Sequence, residues 1–315
     1  MYCMLLAGYF NVSGQVVHTI QSNYGAVTGI AAVNDRLYVS STQQIAMYCP
    51  TTFQYQQDLY FLCTNCGNYS GTLASCNNCG YYEYFDVYDD DDYDGDYAYD
   101  DYGNDGRYVQ HGGVNCMVGC SVNNCLYASK QNYIHKVALG QDNTVSVWTV
   151  GSNAQGLSVT SSHNLLVAMT GVNSLYEYST DGALIRQISL QAAGISSPVC
   201  AVQLSDNHFG ITHYGPAHQF SIISSDGQLD QSYHGDEEDM NNPRGIAVDE
   251  HGRVFVADHN NNRILVISRK TLSAYQLRLP DDCMLNGPCS ILVDSVTMRL
   301  YIGEWNGGRV ICCKI

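Results

Sequence analysis

Basic residues are scarce in this chain: 14 lysines and arginines stand against 30 aspartates and glutamates, a formal charge of −16. The lysines are four, Lys130, Lys136, Lys270 and Lys314. Nucleic-acid binding draws on cations that displace counterions from phosphates, so this balance argues against such a partner. Also missing is any apolar run of about 18 residues, the length that marks a membrane-spanning helix. The opening Met1-Tyr2-Cys3-Met4-Leu5-Leu6-Ala7-Gly8 has no basic leader and too short an apolar run for a signal peptide, so a secreted form would be a mature one. No G-x-S-x-G elbow, no H-E-x-x-H pair and no phosphate loop occurs. Long amphipathic helical patterns are absent too. What is present is a series of short β-rich runs punctuated by Gly, Asn and Asp.

These runs repeat. The clearest unit is Asn242-Pro243-Arg244-Gly245-Ile246-Ala247-Val248-Asp249, then Gly252-Arg253-Val254-Phe255-Val256-Ala257-Asp258, then Asn261-Asn262-Arg263-Ile264. Weaker copies run from Gly287-Pro288-Cys289-Ser290-Ile291-Leu292-Val293-Asp294 and from Gly29-Ile30-Ala31-Ala32-Val33. The first apolar residues of the predicted second strands are Leu37, Leu126, Leu165, Phe209, Val254 and Leu300, at steps of 89, 39, 44, 45 and 46 residues. A propeller blade takes about 40 to 50 residues, so the first step is one blade plus an insertion. The unit at 242–264 resembles an NHL repeat, and the resemblance covers everything except roughly residues 50 to 109. It implies an all-β, six-bladed β-propeller carrying a Cys-rich, Asp/Tyr-rich insertion.

Three regions follow: residues 1–49 hold the N-terminal strands and first blade, 50–109 the insertion, and 110–315 the remaining blades. A four-stranded blade is apolar on both faces and must be packed by its neighbours. The last unit stops after its third strand, so Gln15–Ile20 is expected to close the ring by pairing with Arg309–Ile315. Met1–Phe10 then has no obvious slot. It reads as an outer strand on its own propeller or as a strand exchanged with a neighbouring subunit.

The insertion holds a paired C-x2-C arrangement, Cys63/Cys66 and Cys76/Cys79, each pair followed by glycine. Reduced, four such thiolates suit zinc; oxidised, they form disulfides. Fourteen cysteines and two sequons, at Asn11 and Asn68, point to an oxidising, extracellular setting with glycosylation. Cys283 and Cys289 bracket a loop that a disulfide of its own would close. Between Glu83 and Arg107 lie eleven carboxylates and one arginine, so this stretch carries most of the chain's charge. Nine of the 25 tyrosines lie between Tyr81 and Tyr108. Asp92, Asp94 and Asp96 have the spacing that begins a calcium loop, without the closing glutamate. Tyrosines flanked by acids also resemble sulfation sites.

Propeller sites lie where loops converge on one end of the central channel. The second strands are expected to end there on Ser41, Lys130, Met169, His213, Asp258 and Glu304. His213, Asp258 and Glu304 are the candidates for a shared metal or acid–base role. Related propellers include a peptide-amidating lyase and lactonases, and His213, His218, His234 and His259 are available without a matching motif. The resemblance also gives Asp258 a structural task, tying down the Asn loop that follows it. The expectation is a secreted, non-enzymatic interaction or structural protein that binds itself or other proteins, with an acidic loop for cations. The alternative is an extracellular metal-dependent lyase or hydrolase.

Overall fold

The computed structural model describes residues 14–22, 25–41, 44–59, 61–63, 69–70, 114–140, 143–204, 207–235 and 239–315, with backbone only for 61–63 and 69–70. Met1–Phe10, Asn11, Cys66, Asn68, Cys76, Cys79, Asp92, Asp94 and Asp96 lie outside them, as does the side chain of Cys63.

Six antiparallel sheets form the body. Blade 1 is Gly29–Val33, Arg36–Ser40, Ile45–Tyr48 and Tyr55–Asp58. Blade 2 is Cys116–Cys120, Cys125–Lys130, Tyr133–Ala138 and Thr144–Thr149. Blade 3 is Ala154–Val159, Leu165–Met169, Ser174–Tyr178 and Leu184–Ser189. Blade 4 is Ser196–Gln203, Phe209–Gly215, Gln219–Ile223 and Leu229–Tyr233. Blade 5 is Pro243–Val248, Arg253–Asp258, Arg263–Ser268 and Ala274–Gln276. Blade 6 is Pro288–Asp294, Arg299–Glu304 and Arg309–Lys314, completed by Gln15–Gln21 from the other end of the chain. That closure runs antiparallel from Gln15 opposite Lys314 to Gln21 opposite Arg309. All six residues expected to open the second strands fall inside them.

Blade 1 takes its outer strand from Tyr55–Asp58, within the span read from sequence as insertion. Beyond it, Phe61–Cys63 pairs in parallel with the outer strand of blade 2, and Tyr69–Ser70 pairs with Phe61–Cys63. The insertion therefore begins by covering the edge of blade 2, where an open row of N–H and C=O groups would otherwise face solvent.

Side chains alternate along each strand, and the alternation is what closes the ring. In blade 1, Leu37 and Val39 pack toward blade 6 while Tyr38 packs toward blade 2. In blade 5, Val254 and Val256 face blade 4 while Phe255 and Ala257 face blade 6. One apolar cluster fills each blade boundary, and the innermost strands neighbour one another around a closed circle.

The innermost strands show a further rhythm. Reading the pairing registers, equivalent positions hold Gly29, Cys116, Gly156, Cys200, Gly245 and Ser290. On the odd blades a Cβ would collide with the next blade's backbone, at 2.6 Å from Met117 N, 2.4 Å from Val199 O and 2.7 Å from Cys289 O. At the other boundaries side chains reach across instead. Ser129 Oγ donates to Gln155 O at 2.9 Å, Thr212 Oγ1 to Arg244 O at 2.7 Å, and Cys289 Sγ to Val27 O at 2.8 Å.

The loop disulfide expected between Cys283 and Cys289 is not formed: both are free thiols. Cys289 sits on the innermost strand and turns its sulfur to blade 1, whereas Cys283 packs on the cluster between blades 5 and 6. All nine cysteines with described side chains are free. Burial pushes the thiols of Cys200, Cys289 and Cys313 up to about 12, so they pack as small apolar groups.

Replacing Gly156 by valine should destabilise the protein by about 1–3 kcal/mol, because the neighbouring backbone cannot yield as a side chain would. Gly140→Ala, with no atom within 4 Å of the added carbon, is the matched control and should be near neutral. Urea or thermal unfolding of the two variants checks this.

Candidate functional site

The first residues of the innermost strands and the last residues of the second strands share one end of the channel, as Pro243 opposite Asp258 and Pro288 opposite Glu304 show. In blades 3 to 6 the innermost strand is irregular at its start, with register shifts at Ala154/Leu157, Pro198/Cys200, Pro243/Ile246 and Pro288/Ser290. Such bulges re-aim side chains and gather at sites. Here they carry Arg244 and Cys289.

Asp258 and Glu304 are fully buried and do the same structural work in adjacent blades. Asp258 accepts hydrogen bonds from Asn241 N at 2.7 Å, Asn261 Nδ2 at 2.9 Å and Arg263 Nε at 2.7 Å. Glu304 accepts from Asn286 N at 2.8 Å and from Arg309 Nε at 2.5 Å. Each acid thus ties the arginine opening its own third strand to the loop entering the same blade, and Asp258 also holds the Asn loop after it. His213 is likewise committed, with Nδ1 2.8 Å from Gly215 O and Nε2 2.8 Å from Ser221 Oγ. The structure does not bring the three together as ligands: among the described residues no group of three His, Cys, Asp or Glu could hold a metal ion. Lys130 and Met169 end their strands as expected and Ser41 lies one residue beyond Arg36–Ser40; all three are buried.

Burial pushes two of the other histidines, His135 and His259, toward the neutral form. Burial, then the charge of Arg244, lowers the His259 pKa, and its Nδ1 lies 3.1 Å from Pro288 O. Burial also lowers His213 and brings His135 to about 4. His218 Nδ1 accepts from Asn242 N at 3.1 Å, while His234 lies on the exposed side near Asp239.

Sequence reasoning overlooked Arg244 and Trp305. The Arg244 guanidinium lies 5.5 Å from the Trp305 ring, whose residue is 38% exposed. Its buried Nε has no hydrogen-bond partner among the described residues. A signal was there: Trp305 directly follows Glu304, and Arg244 stands between Pro243 and Gly245 of the clearest repeat.

Fold and mouth together define a six-bladed β-propeller. Its fifth blade is an NHL repeat, which residues 240–267 match. No curated protein matches the chain in sequence. Among solved structures, it is similar to a catalytically inactive virginiamycin B lyase from Staphylococcus aureus with quinupristin, at 11% identity and TM-score 0.58, over 95% of this chain and 98% of that one. A streptogramin B lyase is similar at 14% identity and TM-score 0.56, over 95% and 87%. So is the WD40 propeller domain of Doa1, at 12% identity and TM-score 0.57, over 95% and 96%. At these identities the likeness is one of fold.

Two outcomes follow. Asp258→Ala should destabilise the protein by about 3 kcal/mol or more, because Arg263 would keep a buried charge without its partner. Chemical denaturation measures this. Second, a histidine whose folded pKa is depressed stabilises the fold above its unfolded pKa and loses that contribution as pH falls toward the folded value. For His135 the window runs from 6.5 down to about 4, and the loss across it should be about 3 kcal/mol. Unfolding curves of wild type and His135→Asn across that range should converge as the pH falls.

Proposed function

We propose that this propeller is a non-enzymatic interaction protein acting outside the cell, which docks proteins, including other copies of itself, on the channel-mouth face. The observation that carries this reading is the commitment of Asp258, Glu304 and His213 to bonds within the fold. The groups best suited to acid–base or metal chemistry there hold loops and strands in place. The fold alone favours neither side, since the similar structures include lyases and a WD40 domain. The count of fourteen cysteines and the two sequons, at Asn11 and Asn68, support the extracellular part. The acidic run around Asp92, Asp94 and Asp96 supplies a field for calcium or for basic protein surfaces.

The alternative, a metal-dependent lyase or hydrolase, needs an ion at the mouth. Protein purified without chelators should show no zinc or calcium whose content depends on His213, and the intact chain should sediment above monomer mass. A stoichiometric ion lost in His213→Ala would replace this reading with the enzymatic one. Monomeric sedimentation at high concentration, with and without calcium, would remove self-association from it.

A further inference from the structure

We infer that Arg244 and Trp305 form the subsite of the mouth that takes a carboxylate carried by a protein partner, on an acidic side chain or at a free C-terminus. This rests on the docking reading above and gives it a chemistry.

One cation of the mouth lacks a carboxylate counterpart among the described residues. Arg263 pairs with Asp258, Arg309 with Glu304, Arg186 with Glu177 and Arg253 with Asp249. Arg244, although partly buried, forms no ion pair among the described residues, and its Nε lies buried without an acceptor. A guanidinium cannot shed its proton to escape that situation, so the charge persists at any ordinary pH. Of the nine buried side-chain atoms without a hydrogen-bond partner among the described residues, Arg244 Nε is the one that belongs to a guanidinium, and an absent ligand is one explanation for such a group.

The position is built rather than accidental. The bulge at the start of the blade 5 innermost strand sets Arg244 apart from the regular ladder, and Thr212 of blade 4 fixes its carbonyl at 2.7 Å. Trp305 of blade 6 offers its ring to the guanidinium. An indole is the best of the aromatic faces for a cation, and ring contact leaves donor edges of the guanidinium available.

The neighbours do not fill the role. Cys289 stays a protonated thiol at neutral pH and donates to Val27 O, and His259 is neutral with Nδ1 on Pro288 O. Glu304 precedes Trp305 in sequence, but its oxygens serve Arg309 and Asn286 N. A single planar fork matches a single carboxylate, whereas phosphate sites add a nest of N–H groups or a helix terminus. The exposed indole supplies area for an apolar or aromatic side chain beside that carboxylate, which suits a peptide.

The test uses the full chain and three peptides, followed by calorimetry and by tryptophan fluorescence. They are acetyl-Gly-Gly-Tyr with a free C-terminus, the same peptide as its amide, and acetyl-Gly-Asp-Tyr-Gly amide. Wild type should bind at least one carboxylate-bearing peptide roughly tenfold or more tightly than the neutral amide. Which of the two binds tells a C-terminus from a side chain. Arg244→Gln should erase the difference, and Arg244→Lys should restore it in part. Should Arg244→Gln fail to fold, Trp305→Leu is the second probe, at an exposed position, and should also weaken the acid peptides. Equal binding of acid and amide that Trp305→Leu abolishes would overturn the carboxylate and leave the docking face intact. Acid binding unchanged in Arg244→Gln would overturn the inference, and so would binding of none of the peptides. The docking reading is then judged separately by sedimentation and metal content.

Discussion

Each blade of this protein has two apolar faces, and neither can be left to water. That constraint sets the architecture, because a sheet needing cover on both sides can be stacked without end or closed into a ring. Here the ring closes at six, with one apolar cluster at each boundary. Closure brings the innermost strands together around a narrow channel, where small residues become obligatory. Glycine on the odd blades lets the next backbone approach, and cysteine or serine takes the same place on the even ones. The mouth inherits its geometry from this packing, since the bulges that carry Arg244 and Cys289 stand where the innermost strands enter the ring.

Much of this was legible in the sequence. The period of the repeats placed all six second strands, because alternating apolar residues must recur wherever two faces are buried. The closing strand was legible from its β-rich run and the unfinished last blade, and its pairing differs from the expected span by single residues at the ends. The end of blade 1 was harder to see. Tyr55–Asp58 is polar and exposed on most positions, as outermost strands are, so nothing apolar marks it. The pairing of Cys283 with Cys289 failed for a related reason. Closeness in sequence says nothing about which way a bulged residue turns its side chain.

The mouth was legible as a place and much less as a chemistry. Residue types at Asp258, Glu304 and His213 suggested reactive groups, yet their meaning depends on partners distant in sequence. Asp258 meets Asn241, and Glu304 meets Asn286. Only the NHL resemblance hinted at the structural task of Asp258. The pairing of Arg244 with Trp305 spans two blades, so no contiguous motif carried it and only the place of each residue in its repeat marked it. In a chain with a net charge of −16, a central cation without a carboxylate is the less expected feature, and charge totals conceal it.

The closing contact between Gln15–Gln21 and Arg309–Lys314 has a consequence in time as well as in space. Residues 15–21 leave the ribosome long before residues 309–314 exist, so a strand made early is among the last to find its place. Until then the growing chain exposes an unpaired strand and a ring with an open side. Contacts that join distant parts of a chain form slowly, and exposed strand edges invite other chains while they wait. Synthesis of this protein therefore passes through a stage in which a neighbouring nascent copy offers the same partner strand as the chain's own unfinished end.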